Sequence, residues 1–198
     1  MQREANPVIG HAILREVVRA NLGRAITRAH LRAAQPGALR FLLREALIEQ
    51  ARAVYRDPAF DAAAAAGVLI AGAQAKAAEA RELEEVRVAE LDLTAREADQ
   101  QVKRAARGAE REELLAQLEE LEAWYRDLVA VAAGAGRAAI HLDKLPALEE
   151  DGTRERLVGA ERAAEAVRES WRRFEELNLS PQLALEALFV AIERELRL

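Results

Sequence analysis

Cysteine is missing from all 198 residues, which removes disulfides, thiolate nucleophiles and cysteine-held zinc. Hydroxyl side chains are nearly as scarce. Of the two serines, Ser170 and Ser180, neither sits in a Gly-x-Ser-x-Gly turn, so the nucleophile elbow of the α/β-hydrolases is absent. Aromatics make up 4% of the chain, and only 5 prolines and 10 glycines punctuate it. A β-sandwich, a barrel or a doubly wound sheet would need far more strand formers and turn residues. Lysine is rare as well, 3 against 26 arginines, and none of the three follows a phosphate-loop glycine pattern. The longest apolar run, Ala62 to Ala73, is twelve residues, short of the roughly 20 that a membrane span needs. The first ten residues have no signal-peptide core, so the expectation is a soluble, cytoplasmic protein.

Alanine is abundant, at 45 residues, and leucine, glutamate and arginine follow it. These are the strong helix formers, so the composition predicts an all-α helical bundle. Helices are expected over about 8–20 and 24–34, with Pro36 and Gly37 ending the second, and over 38–56, stopped by Asp57 and Pro58. Pro58 is a candidate start for the next helix. No proline occurs from Phe60 to Gly134, which predicts an Ala-rich hairpin and then long helices. Residues 62–73 should be buried. Residues 95–112 carry one large apolar side chain, Val102, and read as a polar strut with Gly108 its expected break.

Two stripes follow at helical spacing, Leu114, Leu118, Leu121, Tyr125, Leu128, Ala132 and Leu157, Ala160, Ala164, Val167, Trp171, Phe174. A loop through His141, Asp143, Pro146 and Asp151 separates them. Asn178 ends the second helix, and Ser180-Pro181 opens a last one with Leu185, Leu188, Phe189, Ile192 and Leu196 on one face.

Catalytic and metal signatures are not found. His11, His30 and His141 are far apart, with no His-Glu-x-x-His or Glu-x-x-His pair, and acidic pairs such as Glu119/Glu120 read as solvated helix faces. No cofactor is expected, and the chain reads as a non-enzyme. Net charge is −5, but residues 1–56 hold 10 basic and 4 acidic side chains, whereas 57–120 hold 8 and 15. Weak DNA contact through 1–56 follows as an expectation. Lys103, Arg104, Arg107 and Arg111 lie along one side of a helix, within reach of phosphates, although their acidic neighbours favour a solvated face.

The last third resembles a known family. NLSPQLALEALFVAI, residues 178–192, looks like the entry to the C-terminal helix of the bacterial DNA polymerase III delta-prime subunit, a clamp-loader component. The family's Asn-x-x-Pro-x-Leu-Ala-Leu-Glu reads here as Asn178, Pro181, Leu183, Ala184, Leu185 and Glu186. WYRDLVAVAAGA, from Trp124 through Tyr125, Arg126 and Asp127, is similar to its Trp-x-Arg-Asp-Leu helix. The loop with His141, Leu142 and Asp143 and the RESWRRFEELN helix fit in order, and NLGRAITRA, residues 21–29, looks like its lid-closing segment. The resemblance implies a lid-like segment over 1–56, linking helices over 57–112 and a collar-like bundle over 113–198. It further implies a non-catalytic role in assembling the clamp loader for DNA replication, with other clamp-loader subunits as partners. The family's AAA+ domain and cysteine-held zinc have no counterpart here. The alternative is a stand-alone helical scaffold or self-associating bundle unrelated to replication.

Overall fold

The computed structural model describes residues 36–176 and 180–197, all-α, with six helices and no strand among them. The helices are α1 (Pro36–Arg56), α2 (Ala62–Val88), α3 (Ala95–Ala132), α4 (Leu145–Asp151), α5 (Leu157–Glu176) and α6 (Pro181–Leu196). Short 3-10 turns at Gly136–Ala138, Leu142–Lys144 and Arg154–Arg156 punctuate the connection from α3 to α5. The expected helices over 8–20 and 24–34, the NLGRAITRA segment and Asn178 lie outside the described residues.

Local chemistry sets most helix ends. Pro36 opens α1, its fixed φ and missing N–H suiting a first helical position; the segment it was expected to end lies outside the described residues. Pro58 does not start α2. Asp61 does, its Oδ1 accepting from the N–H groups of Ala63 (2.9 Å) and Ala64 (3.0 Å). Thr94 and Glu97 form a capping box at the start of α3, Thr94 N–H donating to Glu97 Oε2 (2.9 Å) and Glu97 N–H to Thr94 Oγ1 (3.3 Å). α3 then runs unbroken through Gly108. An exposed glycine costs a helix interior only about 1 kcal/mol, which 38 residues of good helix formers absorb. It stops at Gly134, whose φ of +79° closes a Schellman turn with Gly134 N–H on Val131 O (2.9 Å) and Ala135 N–H on Ala130 O (2.7 Å).

The described residues form two compact units. One comprises residues 36–43 and Val68–Leu114, the other Arg44–Gly67 with residues 115–176 and 180–197. The first has a thin core of Leu42, Val68, Leu69, Ala73, Val88, Val102 and Leu114, and leaves Leu83 and Val86 exposed on α2. Of the stretch expected to be buried throughout, Ala65, Ala66, Val68, Leu69 and Ala73 are buried, but Ala63 and Ala64 face solvent.

The second unit packs Leu47, Ala51 and Val54 of α1 together with Leu118, Leu121, Trp124, Tyr125 and Leu128 of α3 and the α5–α6 hairpin. In that hairpin the α5 stripe is small, Ala160, Ala163, Ala164 and Val167, and the α6 stripe is large, Leu185, Leu188, Phe189, Ile192 and Leu196. Small against large lets the helices approach closely. Trp171 and Phe174, expected at the core end of the α5 stripe, are only half-buried, because buried α5 side chains stop at Val167.

At Gly159 the α5 backbone lies directly against α6. A Cβ there would collide with the backbone carbonyl of Glu195 on α6. Gly159→Ala is therefore expected to destabilise by about 1–3 kcal/mol through forced separation of the helices. Gly108→Ala meets open space and should stabilise by about 0.5–1 kcal/mol. Thermal melts of the two variants should move in opposite directions; a shared direction would refute the assignment.

Candidate functional site

The second unit concentrates its buried polar groups where α1, the C-terminal half of α3 and the connection from Ala139 to Arg156 meet. Three charged clusters lie there.

His141 is the centre of the first. It is 1% exposed, and both ring nitrogens face carboxylates, Nδ1 at 2.6 Å from Asp127 Oδ2 and Nε2 at 3.0 Å from Glu120 Oε1. Asp127 is anchored by the chain itself, accepting from the N–H groups of Ile140 (2.8 Å) and His141 (2.7 Å). Glu120 also accepts from Arg44 Nε (2.5 Å), and the same guanidinium grips Asp143 with two further N–H groups at 2.8 and 3.0 Å. A neutral imidazole has one donor and one acceptor, whereas two facing carboxylates require two donors. Burial drives His141 towards neutrality, but hydrogen bonds to Glu120 and Asp127 outweigh it and hold the pKa above its usual value. The hydrogen bond from His141 holds Glu120 below the carboxylate range, and the Arg44 fork does the same for Asp143.

Asp151 is the centre of the second cluster. It has no exposed surface and accepts from Arg52 Nε (2.7 Å), Arg56 Nε (2.7 Å) and the Tyr55 hydroxyl (2.9 Å). Tyr55 in turn accepts from Trp124 Nε1 (3.3 Å), and burial holds its phenol well above its usual pKa, so it remains a donor. Arg156 closes the cluster from the other side, donating to the Asp151 carbonyl (2.9 Å) with its Cζ 5.0 Å over the Tyr55 ring. The third contact is simpler, Lys144 Nζ on Glu45 Oε2 at 2.6 Å.

Asp-His-Glu geometry is found in catalytic sites, but here both ring nitrogens of His141 are taken by carboxylates. Neither ring nitrogen of His141 faces an open position, and no hydroxyl nucleophile touches it. Among the described residues no group of three or more His, Asp or Glu side chains is arranged to hold a metal ion. What the arrangement does is fasten the 139–156 connection to α1 and α3.

The residues singled out from sequence fall into two sets. Trp124, Tyr125, Asp127 and Leu185 are buried; Tyr125 donates to the Ala51 carbonyl (3.3 Å). Pro181 opens α6, and Glu186, half-buried, accepts from Gln182 Nε2 of the same helix. Of the seven that are described, Arg126 alone is exposed, 3.8 Å from Glu122. Glu120 is not the solvated acid expected of it, because it sits one residue from Leu121 on the packed side of α3 and meets Arg44 and His141. Arg44, Arg52, Tyr55 and Arg56 escaped notice in the sequence. Their one signal was a polar edge at 44, 52, 55 and 56 along a helix whose partner carboxylates lie about a hundred residues away.

Among the described residues no helix is long and apolar enough to cross a membrane. Comparison with protein-family models, curated proteins and solved structures finds nothing that matches the chain.

Proposed function

We propose that the chain is a non-catalytic subunit-assembly module, acting in DNA replication as the collar domain of the polymerase III delta-prime subunit does within the clamp loader, in the cytoplasm. The motifs that resemble that family, in their order along the chain, support this partner set. The observation that carries an assembly role is the division of polar and apolar groups in the second unit. His141 and Asp151 are held by charged partners from α1, α3 and their own connection, while α6 turns Leu183, 67% exposed, and Val190 outward at i, i+7 spacing. Exposed apolar side chains lined along one helix face support binding to another protein surface.

Co-expression with the other clamp-loader subunits tests this reading. A single complex on size exclusion is expected, and both Leu183→Glu and Arg126→Glu should reduce its yield while leaving the melting temperature of the isolated chain within a degree or two, as exposed substitutions do. Elution of the chain apart from those subunits, alone or as a self-associated species, would overturn the clamp-loader reading.

A further inference from the structure

Exposed arginines on the described helices are mostly neutralised within their own helix. Arg81 pairs with Glu85 (3.0 Å), Arg87 with Glu84 (3.4 Å), Arg172 with Glu169 (2.7 Å), Arg173 with Glu169 (3.0 Å) and Arg197 with Glu193 (2.8 Å). The N-terminal half of α3, in the first unit, departs from this habit. Arg96, Arg104, Arg107 and Arg111 are all exposed, and none forms an ion pair or hydrogen bond among the described residues. Arg104 and Arg111 have no carboxylate three or four residues away on either side.

At 3.6 residues per turn these four, with Lys103, fall within about 100° of arc, and Arg96 to Arg111 spans roughly 22 Å. The adjoining acids are largely spent. Glu97 is taken by the Thr94 cap and Asp99 by Lys103 (2.8 Å), leaving Glu110 at the edge of the face. Arg104, Arg107 and Arg111 stand at i, i+3 and i+7, neighbours of like charge that destabilise a helix in the absence of counter-charge. A line of anions opposite them removes that repulsion.

We propose that this face of α3 seats the phosphate backbone of a nucleic-acid duplex. The row is long enough to reach the phosphate backbones on both sides of a duplex groove, about 12 Å across for the major and about 6 Å for the minor. A single strand is a poorer fit, because it is held by stacking on aromatic rings and residues 95–114 contain none. A lipid surface is poorer still. Membrane-lying helices expose an apolar face beside the basic one, and Val102 and Leu114, the large apolar side chains of this stretch, are buried. The contact is separate from the assembly role and uses none of residues 1–56. It reads no sequence, since an arginine fan on phosphates carries no base contact.

Fluorescence anisotropy of the full chain with labelled DNA and RNA duplexes of about 20 base pairs tests the proposal. Four phosphate contacts predict that affinity falls roughly a hundredfold between about 50 and 200 mM salt, and R104Q/R107Q/R111Q should reduce that fall to about three- to fourfold. The triple variant should also bind at least about tenfold more weakly at the lower salt, whereas R81Q/R87Q, which removes two already paired arginines, should bind like the parent. The duplex bound more tightly identifies the natural source of the phosphates. Equal binding by parent and triple variant, no binding at low salt, tighter binding of the single strand, or binding of phosphatidylglycerol vesicles in preference to either duplex would each overturn it. Circular dichroism of every variant must match the parent, which Arg→Gln on an exposed helix face should preserve.

Discussion

Trp124→Ala is expected to cost about 3–5 kcal/mol of folding stability, a large share of the 5–15 kcal/mol that holds a domain of this size. The indole has no exposed surface, lies edge-on to the His141 ring with centroids 5.7 Å apart, and donates to Tyr55, which donates on to Asp151. Truncation leaves a cavity at the point where α1, α3 and the 139–156 connection meet. Trp124→Phe should cost far less, about 1 kcal/mol, because a ring still fills most of the space and the Tyr55 hydroxyl keeps its acceptor in Asp151. Trp171→Ala should cost less than about 2 kcal/mol, since that indole is only half-buried. Urea titrations of the three variants give the ranking directly. A Trp171→Ala loss equal to that of Trp124→Ala would mean that the core extends along α5 past Val167.

The second large effect is a pH dependence centred on His141. Its folded pKa is raised above the ordinary 6.5, so its contribution to stability is complete below pH 6.5 and is lost as pH rises through the raised value. Glu120 and Asp143 are lowered from 4.5 and 3.8, so their contributions are complete above those values and are lost as pH falls through the lowered ones. The cluster therefore stabilises most between pH 4.5 and 6.5, and the melting temperature should fall on either side of that window. His141→Gln offers a neutral donor in place of the imidazolium and should flatten the alkaline limb, while the acidic limb shrinks towards the part that Arg44 holds at Asp143 and Glu120. Melting curves collected from about pH 4 to pH 9 separate the two limbs. An unchanged alkaline limb in the variant would show that His141 is neutral in the folded chain, contrary to its two carboxylate neighbours.

Much of this architecture was legible from residue order. The 4, 3, 4, 3, 4 spacing from Leu114 to Ala132 marks the buried side of α3, and Leu114, Leu118, Leu121, Tyr125 and Leu128 are all buried. Pro181 opens α6 where expected, and Gly134 closes α3 by taking a backbone conformation that other residues resist. Gly108 misled because a glycine's preference for breaking a helix is small beside the summed propensity of its neighbours. Trp171 misled because periodicity tells which side of a helix is apolar, not how far along that side a partner helix reaches.

Helix content, the apolar side of α3 and the opening of α6 at Pro181 were thus determined by the sequence alone, since each depends on residues within a few positions of one another. Only the tertiary structure decided which charges are buried. Asp151 and Glu150 look alike as neighbours in the chain, yet Asp151 is enclosed by Arg52, Tyr55 and Arg56 while Glu150 remains largely exposed. The same holds for Glu120 beside Glu119, and for His141, which its distance from the other histidines had marked as isolated. A charge's fate depends on partners brought near by packing, about a hundred residues away for Arg44 and Arg52, and no local pattern encodes such a meeting.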